Sequence, residues 1–323
     1  MNIAILDDEF DTVRTLECYP QLAAHNVTIW RDHSKDTAVL AERLKDAEAI
    51  VMLRERTPIR ADLIARLPKL KMLTLNGPYP HVDLDACTAR GVVLCAGKPR
   101  PSSATAELTW GLIICAMRQI PQQMASLKRG QWQTALGRGL RGRTLGVWGY
   151  GRIGQQVAAF GRAFGMKVLI WSRETGLASA RADGYAAAPS KQALFEEADV
   201  LSLHVRLNAE TRGMVTAEDL ARMKPTALIA NTSRAELIEP GALVAALKAG
   251  RPGMAAVDVF EKEPVTDLQQ PLLNMNNVVC TPHLGYVERD QLERYYNDQF
   301  NRVLAFEKGA PVDVANPQAL AAR

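Results

Sequence analysis

Arg234, Glu263 and His283 each follow an apolar run, and together they form a coherent reaction set. Arg234 ends "TALIANTSR", Glu263 lies in "DVFEKEP" after "MAAV", and His283 follows "NVVCTP". An imidazole near neutral pH exchanges a proton with an alcohol or carbonyl oxygen. A carboxylate on its other nitrogen fixes the tautomer and steadies the imidazolium, and a guanidinium grips a carboxylate in a fork and polarises a carbonyl. Singly, each has a plain structural explanation: solvated surface charges for Arg234 and Glu263, a loop residue for His283.

A second constellation lies upstream. Gly149, Gly151 and Gly154 form G-x-G-x-x-G inside "TLGVWGYGRIGQQVAAFGRAFGMKVLIW", with an apolar strand before it, a helix opening at Arg152 and Ile153, and a second strand after. Gly149 permits the tight turn, Gly151 lets the backbone approach a pyrophosphate, and Gly154 lets helix and strand pack closely. The pattern predicts a dinucleotide site; the alternative is a turn that uses its glycines for packing alone. About 20 residues past such a loop an acid usually meets the adenosine ribose. Here that place holds Ser172 and Arg173.

Positioning these groups requires α/β architecture. "NIAIL", "VTIW", "AIVML", "KMLTL" and "VVLC" read as buried strands, with "DTAVLAERLKDA" and "RADLIARLP" as helices between them. A second series follows: "TLGVWG", "KVLIW", "DVLSLHV", "TALIANT", "MAAVDV" and "NVVCTP". This rhythm predicts two parallel sheets covered on both faces, and the carboxyl ends of such strands line a ligand crevice. A helix near 101–119, capped by Ser102 or Ser103, joins the two units, and a long amphipathic helix after residue 285 returns the chain to the first. The expected domains are 1–100 with 288–323, and 101–287, with a cleft between them. "GQWQTALGRGLRGR" reads as an exposed arm.

Bulk properties narrow the class. The chain has 323 residues, 47% hydrophobic and 23% charged, with net charge +4 and no dense basic block. That predicts a cytoplasmic protein with small anionic partners, without nucleic acid or membrane among them. Five scattered cysteines, in no C-x-x-C or Cys/His pattern, predict no metal site and reduced packing thiols.

Four segments, "GRTLGVWGYGRIG", "NTSRAELIEPGALVAALKAG", "AAVDVFEKEP" and "VVCTPHLGY", resemble in order and spacing the signatures of the D-isomer-specific 2-hydroxyacid dehydrogenases. The resemblance extends over essentially the whole chain. It implies a Rossmann cofactor domain and a flavodoxin-like substrate domain, both doubly wound parallel sheets, and a nicotinamide cofactor. Arg234 is then the residue that binds the substrate carboxylate, His283 the acid/base, and Glu263 its partner. Asp258 matches a position that contacts the nicotinamide end, while Thr232, Ser233 and His204 fall on strand ends that line the cofactor. Formate-oxidising relatives carry Gln in place of Glu263, which points away from formate. Relatives are mostly homodimers joined through the cofactor domain, and the arm at about 120–143 is the candidate contact here.

The chain departs from the family pattern at three places. In "NGPYPHVDLDACTARGV", Pro78, Tyr79 and Pro80 replace the flexible part of a loop that binds substrate. Asn76, Gly77 and Tyr79 are therefore the expected substrate contacts, with Tyr79 or His81 pointing into a distinct pocket. Arg206 stands where relatives usually have Pro. Ser172 and Arg173 replace the ribose-binding acid. The last two changes favour NADP over NAD, because a carboxylate repels a 2′-phosphate and a guanidinium grips it; the alternative places Glu174 on the ribose in a shifted turn. The leading expectation is a reductase of small 2-keto acids such as glyoxylate or hydroxypyruvate. The alternatives are D-3-phosphoglycerate oxidation and a dinucleotide-sensing corepressor-like protein.

Overall fold

A computed structural model describes residues 1–98 and 103–321. The chain separates into two compact units, Met1–Arg100 with Arg289–Arg323, and Pro101–Glu288.

Among the described residues of the first unit, five strands form one sheet: β1 (Asn2–Ile5), β2 (Asn26–Ile29), β3 (Ala49–Val51), β4 (Met72–Asn76) and β5 (Val93–Gly97). Their order is β2-β1-β3-β4-β5, and every pairing is parallel. The strands are short apolar runs because both faces are covered; Ile50, Leu73, Leu75 and Leu94 lie in one cluster with Leu40, Leu44, Leu63 and Ile64 of the covering helices. The helix Arg289–Glu307 returns to this unit and buries Tyr295, Gln299 and Arg302.

The second unit carries seven parallel strands among its described residues: β6 (Thr144–Trp148), β7 (Lys167–Trp171), β8 (Ala186–Ala187), β9 (Val200–Leu203), β10 (Leu228–Asn231), β11 (Met254–Val257) and β12 (Val278–Cys280). Their order is β12-β11-β10-β9-β6-β7-β8. Side chains alternate across the sheet. Leu228 and Ala230 of β10 join the cluster under the helices Ala104–Arg118 and Arg152–Ala163. Ile229 between them joins the cluster under Lys191–Glu197, Ala217–Arg222 and Ala242–Lys248.

The local readings differ from this fold in three details. The arm region opens with a helix, Ile120–Lys128, because Pro121 suits a first helical turn and Gln119, at φ 53°, breaks it from the helix before; the stretch 131–140 is irregular. Strand β8 has two residues, too few to show a period. Ser103 occupies the N-cap of Ala104–Arg118 but donates its hydroxyl to the Glu107 carboxylate instead of capping backbone. Ser102 lies outside the described residues.

Candidate active site

The glycine turn follows β6. Gly149 sits at φ +98°, and a Cβ there would lie 2.5 Å from the His204 carbonyl oxygen. A Cβ at Gly154 would overlap the Gly149 carbonyl oxygen. Only glycine satisfies both positions. A Cβ at Gly151 would meet no atom within 4 Å, so there the missing side chain leaves open backbone. Gly151 is the N-cap of Arg152–Ala163, and no side chain caps that end. An uncapped helix start behind an open glycine backbone is a cradle for a diphosphate.

Beside this turn, one residue past β7, the Ser172 hydroxyl accepts from the Tyr150 N–H at 3.4 Å. Arg173 is the N-cap residue of the helix Glu174–Ala182, its side chain makes no cap, and it is exposed. Glu174 pairs with Arg181 at 2.7 Å. Past β9, His204 is held by Ser202 Oγ at 2.8 Å from Nε2, and burial pushes its imidazole down to about 4, so it is neutral at pH 7. Arg206 is exposed; its carbonyl accepts from the Thr211 hydroxyl.

Three strand ends build the reactive cluster. After β10, the Asn231 side chain accepts from Ser233 N–H (3.0 Å) and donates to the Arg234 carbonyl (2.8 Å), which folds the backbone around Arg234. Ser233 Oγ donates to the Val205 carbonyl, and buried Thr232 shares a hydroxyl hydrogen bond with Thr109. After β11, Glu263 takes the Phe260 N–H on Oε1 at 2.9 Å and His283 Nδ1 on Oε2 at 2.6 Å. Burial would raise the Glu263 carboxyl. The His283 and Phe260 hydrogen bonds, with the nearby charges of His283 and Arg234, outweigh it and hold the group below the usual carboxylate range. A carboxylate only accepts, so Nδ1 carries a proton and Nε2 is the nitrogen left for chemistry. The structure thus joins Glu263 and His283 directly, and the charge of Arg234, whose Nη1 donates to the Ser233 carbonyl, bears on the Glu263 carboxyl.

His283 itself has φ +56°, an uncommon conformation for a non-glycine residue. Asp258 holds its loop. The fully buried Asp258 carboxylate accepts the Thr281 hydroxyl (2.6 Å), the Leu284 N–H (2.7 Å) and the Gly285 N–H (2.8 Å). Burial pushes its pKa up against these hydrogen bonds. The partners of the Asp258 carboxylate are thus residues flanking His283.

The NAD-binding-domain model of the D-isomer specific 2-hydroxyacid dehydrogenases matches residues 110–285, which include the glycine turn, Arg234, Glu263 and His283. The chain belongs to this family. Its relatives include the glyoxylate reductase of Thermococcus litoralis, 32% identical over 92% of each chain. The D-3-phosphoglycerate dehydrogenase of Methanocaldococcus jannaschii is 40% identical over 76% of this chain, and the match spans 47% of that longer protein. Among solved structures, phosphoglycerate oxidoreductase from Vibrio cholerae o395 superposes with a TM-score of 0.90 at 47% identity, covering 96% of this chain and 100% of that one. A chain from Ralstonia solanacearum reaches 0.93 at 51% identity, covering 99% and 98%.

In this 2-hydroxyacid dehydrogenase the first unit carries the other expected contacts. Asn76 ends β4 with both ends of its amide engaged: Oδ1 accepts from Arg302 Nη1 (2.6 Å) and Nδ2 donates to the Tyr295 carbonyl (3.1 Å). Gly77 has φ +115° and gives its N–H to the Gly97 carbonyl at 2.9 Å. Tyr79 is half-buried, with its ring packed on the apolar cluster of its unit. His81 is buried with neither ring nitrogen hydrogen-bonded, and burial pushes it down to about 4. The Tyr79 ring thus packs partly on the core of its own unit, where its apolar face gains by leaving water, while His81 is buried in the same unit. Sequence reasoning misses Asn231, Thr281, Ser202 and Arg302 as positioning residues. Asn231 had a signal in its place immediately before the "TSR" turn; the others had none.

Proposed function

We propose that this protein is an NAD(P)-dependent oxidoreductase that interconverts a small 2-keto acid, such as glyoxylate or hydroxypyruvate, and its D-2-hydroxy acid. The observation that carries this reading is the 2.6 Å contact of His283 Nδ1 with Glu263 Oε2, on which the Arg234 charge acts, in the same unit as the glycine cradle. The bound nicotinamide supplies or takes the hydride at C2. Arg234 grips the substrate carboxylate and polarises its carbonyl. In reduction His283 delivers a proton from Nε2 to the carbonyl oxygen; in oxidation it takes the hydroxyl proton back, and Glu263 steadies the imidazolium. Asp258 keeps the His283 loop in place. The cradle formed by Gly149, Gly151, Arg152, Ile153 and Gly154 fits a dinucleotide pyrophosphate, with Thr232, Ser233 and His204 along the same strand ends.

The preferred cofactor in this reading is NADP(H). Ser172 offers a hydroxyl beside the glycine turn, Arg173 and Arg206 are exposed and make no ion pair among the described residues, and Glu174 is tied to Arg181. The protein is read as a cytoplasmic homodimer joined through the arm. Trp132 is 76% exposed and Leu136 92%, the most exposed large apolar side chains of the arm. No described helix is long and apolar enough to cross a membrane, and no group of three His, Cys, Asp or Glu among the described residues could hold a metal ion. The names of the Methanocaldococcus and Vibrio relatives favour a second reading, D-3-phosphoglycerate oxidation. A panel of glyoxylate, hydroxypyruvate and other 2-keto acids with NADH and NADPH, and of 3-phosphoglycerate with NAD and NADP, separates the two. Tight dinucleotide binding without turnover of any of them would leave a sensor instead of an enzyme.

A further inference from the structure

The helix Arg289–Glu307 carries a buried polar face. Tyr295, Gln299 and Arg302 are 8%, 0% and 5% exposed, and their spacing puts them on one side. Each reaches the carboxyl end of a strand. Tyr295 Oη takes the Arg54 N–H at 2.8 Å and donates to the Met52 carbonyl just past β3. The Gln299 amide, in the orientation its neighbours require, donates to the carbonyls of Met52 (3.2 Å) and Thr74 (2.7 Å). Arg302 goes furthest: Nη1 donates to Asn76 Oδ1 at 2.6 Å and lies 3.5 Å from the Leu75 carbonyl, while Nε donates to Asp313 Oδ2 at 2.8 Å.

A buried guanidinium is costly, and an apolar side chain of similar volume would often stabilise such a site as well or better. What an apolar side chain could not do is hold the Asn76 amide. The space for the guanidinium exists because residue 97 is glycine. A Cβ there would overlap the Arg302 guanidinium and lie 2.6 Å from Asn76 Oδ1. Gly97 also accepts the Gly77 N–H. Arg302, Gly97 and Asn76 thus form one clasp at the start of the 76–81 loop, locked from the tail side by Asp313, whose carbonyl takes the Ala96 N–H.

We propose that Arg302 is a positioning residue for substrate binding: through Asn76 and the Gly97 gap it sets the backbone of the 76–81 loop that anchors the 2-keto acid. The role rests on the proposed 2-keto acid reaction for its kinetic readout. Arg302→Met removes the fork, and Gly97→Ala displaces it; Gly97 has an ordinary φ, and the nearest atoms an added Cβ meets belong to Arg302 and Asn76. Each variant raises KM for the 2-keto acid by about tenfold, as loss of one hydrogen bond to a charged group predicts. Each leaves KM for the nicotinamide cofactor unchanged and kcat within a few-fold. Arg302→Lys, which keeps the charge without the fork, falls between wild type and Arg302→Met. The double variant loses less than the sum of the two single losses, because both act on the same Asn76 amide. Thermal melts confirm folding, and Gly97→Ala serves if Arg302→Met does not fold. Unchanged substrate KM in both folded variants overturns the proposal, as does a parallel loss of cofactor affinity. If wild type turns over no 2-keto acid, the proposed function fails, and amide hydrogen exchange decides on the clasp alone: faster exchange at Gly77 in Arg302→Met supports it, unchanged exchange sinks it.

Discussion

In the proposed mechanism His283 acts while its Nδ1 stays on Glu263, so the two residues are tested as a pair. His283→Gln leaves the fold intact and lowers kcat by roughly 10²–10⁴-fold, the usual worth of a positioned acid/base; steady-state rates with a circular dichroism control measure it. Glu263 has its carboxyl held below the ordinary range in the folded state. Such a group adds stability that is fully present above its unfolded pKa of about 4.3 and is lost as pH falls through the lower folded value. The difference in unfolding free energy between wild type and Glu263→Gln is therefore flat above about pH 5 and shrinks below about 4. A difference that stays flat down to pH 3 speaks against the depressed carboxyl. At the cofactor end, Ser172→Asp places an acid beside the Tyr150 N–H and moves the kcat/KM ratio toward NADH. A wild-type ratio already favouring NADH rejects the NADP reading.

The elements that carry these residues were legible in unequal measure. Strands such as "ALIAN" and "VLIW" announce themselves because a strand covered on both faces must be apolar throughout. The glycine turn announces itself because Gly149 and Gly154 have no room for a Cβ. Gly154→Ala pushes the helix Arg152–Ala163 off β6. It costs roughly 1–3 kcal/mol of stability, as overpacking does, and weakens dinucleotide binding; a thermal melt and a cofactor fluorescence titration read both. The helix Ile120–Lys128 and the two-residue β8 were illegible for a different reason. The helix has few buried residues to mark a period, and the strand is shorter than one. The work of Asp258 was hidden as well, since its partners Thr281, Leu284 and Gly285 belong to the loop after another strand.

Under the proposed pairing through the arm, copies of the chain meet at Trp132 and Leu136. Leu136→Glu with Trp132→Glu puts two charges on the most exposed apolar side chains of the arm. In sedimentation the variant runs as a monomer at concentrations where wild type is a dimer; an unchanged dimer places the interface elsewhere. The local order of residues was enough to read two parallel α/β units and the glycine turn, and to single out Arg234, Glu263 and His283 as candidates, because apolar period and glycine spacing are properties of neighbours in the chain. Tertiary structure alone decided which polar groups hold them. Asn76 and Arg302 meet across 226 residues, and Asp258 meets the His283 loop across a strand pairing. It also packed the Tyr79 ring partly on the core of its own unit. Hydrogen-bond partners and burial are set by where the backbone brings distant segments, and no local pattern encodes that distance.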